Sequence, residues 1–85
     1  MSKTPKDVVQ AAYLYLGTAL PVDQKISTVR VEELDTFEEA GEKFWNVVLS
    51  YDVSGEFSFE RTRDFKEFKV KDSDGTVVSM RIKKV

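Results

Sequence analysis

An 85-residue chain with no cysteine and no histidine has room for one domain and one modest core, and neither disulfides nor a thiolate zinc site can support it. The same two absences remove the commonest general base, the thiol nucleophile and most transition-metal ligands, which leaves any catalysis to carboxylates, Lys, Tyr or Ser. With 41% hydrophobic residues, among them six Phe, three Tyr and one Trp, the chain is expected to fold, and its net charge of −2 hides an uneven distribution between its two ends.

Helix signals come first. Thr4 can cap, Pro5 suits the first helical position, and Asp7 stands three residues after Thr4 in a capping-box arrangement. Val9, Ala12, Tyr13, Leu16, Ala19 and Leu20 then recur at helical spacing, so a helix is predicted over about residues 5–20, running through Gly17 and stopped by Pro21. The opening MSKTPKDVVQ does not read as a signal peptide and no long apolar run follows, so a cytoplasmic address and no membrane association are expected.

After Pro21 the period becomes alternating. Val29 and Val31 share a face opposite Thr28, Arg30 and Glu32, which predicts a strand over about 26–37; Leu34 falls out of phase, which predicts a bulge or twist near Glu33. Residues 38–43 read as a polar hairpin loop with Gly41 suited to positive φ. Trp45, Val47, Leu49, Tyr51 and Val53 alternate with Phe44, Asn46, Val48, Ser50 and Asp52 in a second strand, about 44–53. The segment 56–63 fits either a loop or a strand. Two further strands, about 64–71 and 76–84, flank an Asp74-Gly75 turn.

One apolar helix stripe and one apolar sheet face bury each other most simply as a two-layer α+β domain over residues 1–85, an N-terminal helix on a four-stranded antiparallel meander. The predicted core takes Val9, Ala12, Tyr13, Leu16 and Leu20 from the helix. From the sheet it takes Val29, Val31, Trp45, Val47, Leu49, Phe68, Val70, Val78, Met80 and Ile82.

A helix ending in Leu20-Pro21, the strand Phe44-Trp45-Asn46-Val47-Val48-Leu49-Ser50-Tyr51 and the closing hairpin from Phe68 to Met80 together resemble PepSY-like domains. The resemblance covers most of the chain from Asp7 onward. It implies a cystatin-like topology, a helix followed by an antiparallel sheet, and a binding role without catalytic residues to transfer.

The string Asp72-Ser73-Asp74-Gly75-Thr76 matches the D-x-D-G-T of haloacid-dehalogenase-like phosphatases, in which a nucleophilic Asp, an acid Asp and Mg²⁺ act together. That chemistry needs a parallel α/β frame, whereas here the string joins two antiparallel strands. A calcium loop starting at Asp72 fails because Gly75 falls at its fourth position and Lys83 at its twelfth. Asp72 and Asp74 are therefore read as turn residues that hydrogen-bond their own backbone. The run Glu32, Glu33, Asp35, Glu38, Glu39, Glu42 is read as solvated, with no metal or other cofactor implied.

Residues 1–60 hold five basic against eleven acidic residues, a net −6; residues 61–85 hold eight against four, a net +4. Adjacent strands of opposite sign would pair across the sheet. The alternative is a nucleic-acid-associated accessory protein that binds through the basic C-terminal hairpin. The favoured reading is a non-catalytic binding or regulatory module whose partner is another protein or a second copy of itself in a homodimer, with no small-molecule substrate evident. Its expected interaction surface is the sheet face away from the helix together with the basic segment: Phe44, Val48, Phe57, Phe59, Arg61, Arg63, Lys69, Arg81 and Lys83.

Overall fold

The computed structural model describes residues 3–20, 25–54 and 61–83, and in them one helix packs on a four-stranded antiparallel open sheet, the predicted α+β architecture. Helix α1 spans Pro5–Ala19. Thr4 is its N-cap: the Thr4 hydroxyl accepts the Asp7 N–H at 3.2 Å while the Asp7 carboxylate accepts the Thr4 N–H at 3.2 Å. The helix runs through Gly17 and ends at Leu20, whose N–H donates to the Leu16 carbonyl.

The buried line of α1 is Val8, Ala12 and Leu16, with Val9 and Leu20 packed at its side. The helix is thus rotated from the predicted stripe: Val8 replaces Val9 at the centre and Tyr13 is 50% exposed. Both Val8 and Val9 fit an i, i+4 apolar pattern, and only the docking angle on the sheet chooses between them.

Strands β1 (Lys25–Glu39), β2 (Glu42–Ser54), β3 (Arg61–Lys71) and β4 (Val77–Ile82) lie in the order β1-β2-β3-β4, so the chain meanders. β1 and β2 are longer than predicted because the supposed loop 38–43 is a two-residue turn. Glu38 pairs with Lys43 and Glu39 with Glu42, while Ala40 (φ 54°) and Gly41 (φ 78°) both take the positive φ that a tight hairpin of this hand requires. Of the ambiguous segment, Arg61, Thr62 and Arg63 belong to β3. The rest of it, Phe57 and Phe59 included, lies outside the described residues.

β1 carries two one-residue bulges. The one between Val31 and Glu33 is where Leu34 signalled it, and it returns Leu34 to the helix face opposite Val47. The other lies between Ser27 and Arg30, around Thr28 at φ 53°, an uncommon conformation for a β-branched residue. A third bulge opposite Lys69 and Val70 shifts β4: Val70 pairs with Val77 and Lys69 with Ser79, leaving Val78 unmatched. It turns Val77 toward the core and leaves Val78 51% exposed, the reverse of their predicted places.

The core is centred on β2 and β3: Val47, Leu49, Tyr51, Val53, Phe68 and Val70 meet Val8, Ala12 and Leu16, with Trp45 and Met80 at its margin. α1 packs on β2, β3 and β4. Val31 and Ile82, both expected in the core, are 46% and 73% exposed: Val31 lies on β1, which α1 does not cover, and Ile82 is the last residue of β4. No helix among the described residues is long and apolar enough to cross a membrane.

Candidate functional site: an apolar groove beside an acidic edge strand

The Asp72–Thr76 segment is a hairpin turn tied down by its own polar groups. The Gly75 N–H reaches the Lys71 carbonyl at 2.9 Å, and Gly75 has φ 76°. Asp74 accepts the Thr76 N–H at 2.9 Å, as a turn Asp does, and this bond holds its carboxyl below the usual range. Asp72 behaves otherwise than expected. Its side chain is 7% exposed and accepts the Trp45 indole N–H at 2.7 Å, joining the turn to β2. Its backbone N–H bonds the Lys43 carbonyl, and its carbonyl accepts the Lys3 N–H. Sequence alone misses this pairing because 27 residues separate the partners.

On the face away from α1, the acidic and basic strands pair. Lys69 reaches Glu39 at 2.9 Å and its ammonium lies 4.4 Å from the Phe44 ring centre, which stacks on Phe37 at 5.6 Å. Lys71 approaches Glu42. Val48 lies between Glu33 and Glu67 in register, and Lys83 bridges those two carboxylates at 3.7 and 3.5 Å. Under this ion-paired roof Val48 is buried, and Phe44 is buried under Lys69, so neither of these two expected contact residues offers much surface.

Arg63 is similarly committed. Its guanidinium donates to Asp52 at 2.8 Å and to the Ser50 hydroxyl at 2.7 Å, and Ser50 in turn donates to Glu32 at 2.6 Å. A further bond to the Thr28 carbonyl at 3.3 Å ties down the strained bulge of β1. Arg81 remains exposed and lines a small polar hollow of about 200 Å³ with Asn46, Glu67 and Ser79. The side chain of Arg61 is outside the described residues.

The larger concavity lies on the other face. Because α1 covers β2 to β4, a groove of about 660 Å³ opens between the helix and β1. Pro5, Lys6, Val9, Gln10 and Tyr13 line it from the helix, and Val29, Val31 and Leu34 of β1 with Leu49 of β2 line it from the sheet. The lining is mainly aliphatic and aromatic.

The groove is bordered by an edge strand. Among the described residues no strand pairs with the outer side of β1, and from Glu33 to Glu39 its register with β2 is unbroken. That stretch holds Glu33, Asp35, Glu38 and Glu39 and no basic residue. The sequence placed Val9, Tyr13, Val31 and Leu49 together in the core and did not reveal the helix position that opens a groove between them.

Tyr51, fully buried on the helix face, has no hydrogen-bond partner for its hydroxyl among the described residues. Burial, with the nearby Asp64 carboxylate, pushes its pKa up to about 12, so it stays neutral and is no base at ordinary pH. Among the described residues no three acidic side chains gather as a metal site would need. Comparison with protein-family models, with curated proteins and with solved structures returned no match.

Proposed function

We propose that this protein is a non-catalytic binding or regulatory module of the cytoplasm, PepSY-like in kind, which acts through protein–protein contact at the groove between α1 and β1. The occupant is an extended segment in which apolar and basic residues alternate. It adds to β1 as a fifth strand, sets its apolar side chains beside Val31 and Leu34, and presents its cations to Glu33 and Asp35. The observation that carries this reading is the juxtaposition of an aliphatic groove with an acidic strand edge. The order of helix then antiparallel meander supports the PepSY-like assignment. The absence of catalysis is supported by the engagement of carboxylates that the sequence singled out: Asp72 with Trp45, Asp74 with Thr76 and Glu32 with Ser50.

The test is an NMR titration of ¹⁵N-labelled protein with a synthetic peptide of alternating Val and Lys. The expected result is shifts of the Val31–Glu39 and Val9–Tyr13 amides, with affinity reduced about tenfold or more by Leu34→Lys. Absence of those shifts sinks the docking surface. Equal binding of a Val/Glu peptide sinks the role of the acidic edge. Oligonucleotide binding that weakens steeply with salt would transfer the function to the basic hairpin.

A further inference from the structure

We propose that the strand seated on β1 is β4 of a second copy of this chain, so that the protein associates head to tail through its two sheet edges. The proposal rests on the reading of β1 and its groove as a docking surface, and names the occupant. Three independent features point to β4.

The first is topology. Four strands in meander order put β1 and β4 antiparallel to each other. A second copy set alongside in the same orientation therefore brings its β4 antiparallel to β1, with both helices on one face of a continuous sheet. An odd-stranded meander would present its far edge parallel instead.

The second is charge. The charged residues of the regular stretch Glu33–Glu39 are all acidic. Glu33 and Glu39 meet Lys83 and Lys69 of their own copy, and Asp35 and Glu38 have no ion pair among the described residues, whereas on β4 Arg81 is the exposed cation and Val77–Lys83 holds no acid. Pairing β1 with another β1 would oppose carboxylate to carboxylate, and pairing β4 with β4 would oppose cation to cation. Only the mixed pairing satisfies both edges. The two bulges upstream of Glu33 confine it to the regular stretch, whose seven residues match the six of β4.

The third is apolar exposure. On the helix side of β4, Ile82 is 73% exposed, and on the same side of β1, Leu34 is 37% and Val31 46% exposed. In the continuous sheet the Ile82 of one copy lies beside the groove of the next. One contact thereby covers both the exposed Ile82 and the open side of the groove. Such an interface joins unlike edges, so it does not close on two copies, and the assembly grows with concentration.

The experiment is size-exclusion chromatography with light scattering. The wild-type mass is expected to rise with concentration at low ionic strength and to fall toward the monomer near 1 M salt, where the screening length is about 3 Å. Two variants at exposed positions isolate the edges: Leu34→Lys with Asp35→Lys blocks β1, and Arg81→Gln with Ile82→Glu blocks β4, with circular dichroism verifying the fold of each. Each variant alone is expected to be monomeric. Their equimolar mixture is expected to form a 1:1 heterodimer that cannot extend, since one contributes an intact β1 and the other an intact β4.

Self-association of the β4-blocked variant would mean β1 pairs with itself, and a monomeric mixture would mean the edges do not meet; either overturns the proposal. So would oligomers that persist in both variants. A wild type that is monomeric at every concentration overturns the second copy as occupant, while the separate peptide titration still decides whether the groove binds an extended segment.

Discussion

Replacing Asp72 by Ala removes the one carboxylate of the Asp72–Thr76 turn that serves tertiary structure. Its Oδ1 accepts the indole N–H of Trp45 at 2.7 Å from a site 7% exposed. A hydrogen bond to a charged acceptor contributes about 1.5–3 kcal/mol. Trp45 is half-buried, so water can reach part of the indole after the substitution and the expected loss is about 2 kcal/mol. In a domain of this size 1 kcal/mol moves Tm by about 4–8 °C, which places the fall at roughly 8–16 °C. Asp72→Asn keeps an oxygen acceptor without its charge and is expected to lose about half as much. Urea denaturation followed by far-ultraviolet circular dichroism measures both, and Trp45, the sole Trp, gives an independent fluorescence signal at the site of the change. A cycle with Trp45→Phe is expected to show a coupling of about 1–2 kcal/mol. If Asp72→Ala costs under about 0.5 kcal/mol, or costs as much in the Trp45→Phe background, the bond to Trp45 does not anchor the turn.

Gly17 lies inside α1, and a Cβ added there meets nothing within 4 Å, so Gly17→Ala is expected to stabilise by about 0.5–1 kcal/mol in chemical denaturation. Ala40 holds φ 54° in the β1–β2 turn; Ala40→Asn, giving Asn-Gly, is expected to gain about 0.5–1 kcal/mol, and a loss of stability would contradict the turn geometry. The carboxyls of Asp7 and Asp74 are held below their usual pKa, each chiefly by a backbone N–H it accepts, from Thr4 and Thr76 respectively. Each stabilises the fold above the unfolded carboxylate pKa, near 4, and that contribution is lost as pH falls through the lowered folded value; acid titration of stability is therefore expected to be shallower in Asp7→Asn. At the alkaline end the neutral Tyr51 favours the fold fully below pH ~10, and that contribution is lost between about 10 and 12, a decline that Tyr51→Phe is expected to reduce.

The architecture was readable wherever a residue's fate depended on its near neighbours. The Thr4–Asp7 box, the alternation of β2 and the Asp74-Gly75 turn act over a few residues, and the out-of-phase Leu34 revealed its bulge directly. What escaped the sequence depends on distant partners. The bulge at Thr28 has no signature of its own, because Arg63, 35 residues away, helps to hold it. Val77 and Val78 are chemically identical, so only the register of β4 against β3 decides which is buried. The expected contact surface placed Phe44 and Val48 in the open because period assigns a face but cannot say what long side chains will lie over it. The groove was invisible for a similar reason: it is the part of the sheet that a helix of this length, docked over β2 to β4, leaves uncovered.

The three fully buried side chains of α1 have a consequence for how the molecule opens. The helix contributes no rung to the sheet ladders, and among the described residues its backbone tie to the sheet is made by Lys3, just ahead of its N-cap. Among the described residues, detaching it breaks few backbone bonds and leaves the hairpins paired. Amide hydrogen exchange should therefore divide into two classes, with the α1 amides exchanging through a sub-global opening and the β2 and β3 amides only on complete unfolding. In the opened form Val47, Leu49, Phe68 and Val70 face water together, so protease susceptibility and aggregation should follow the free energy of helix release rather than that of global unfolding.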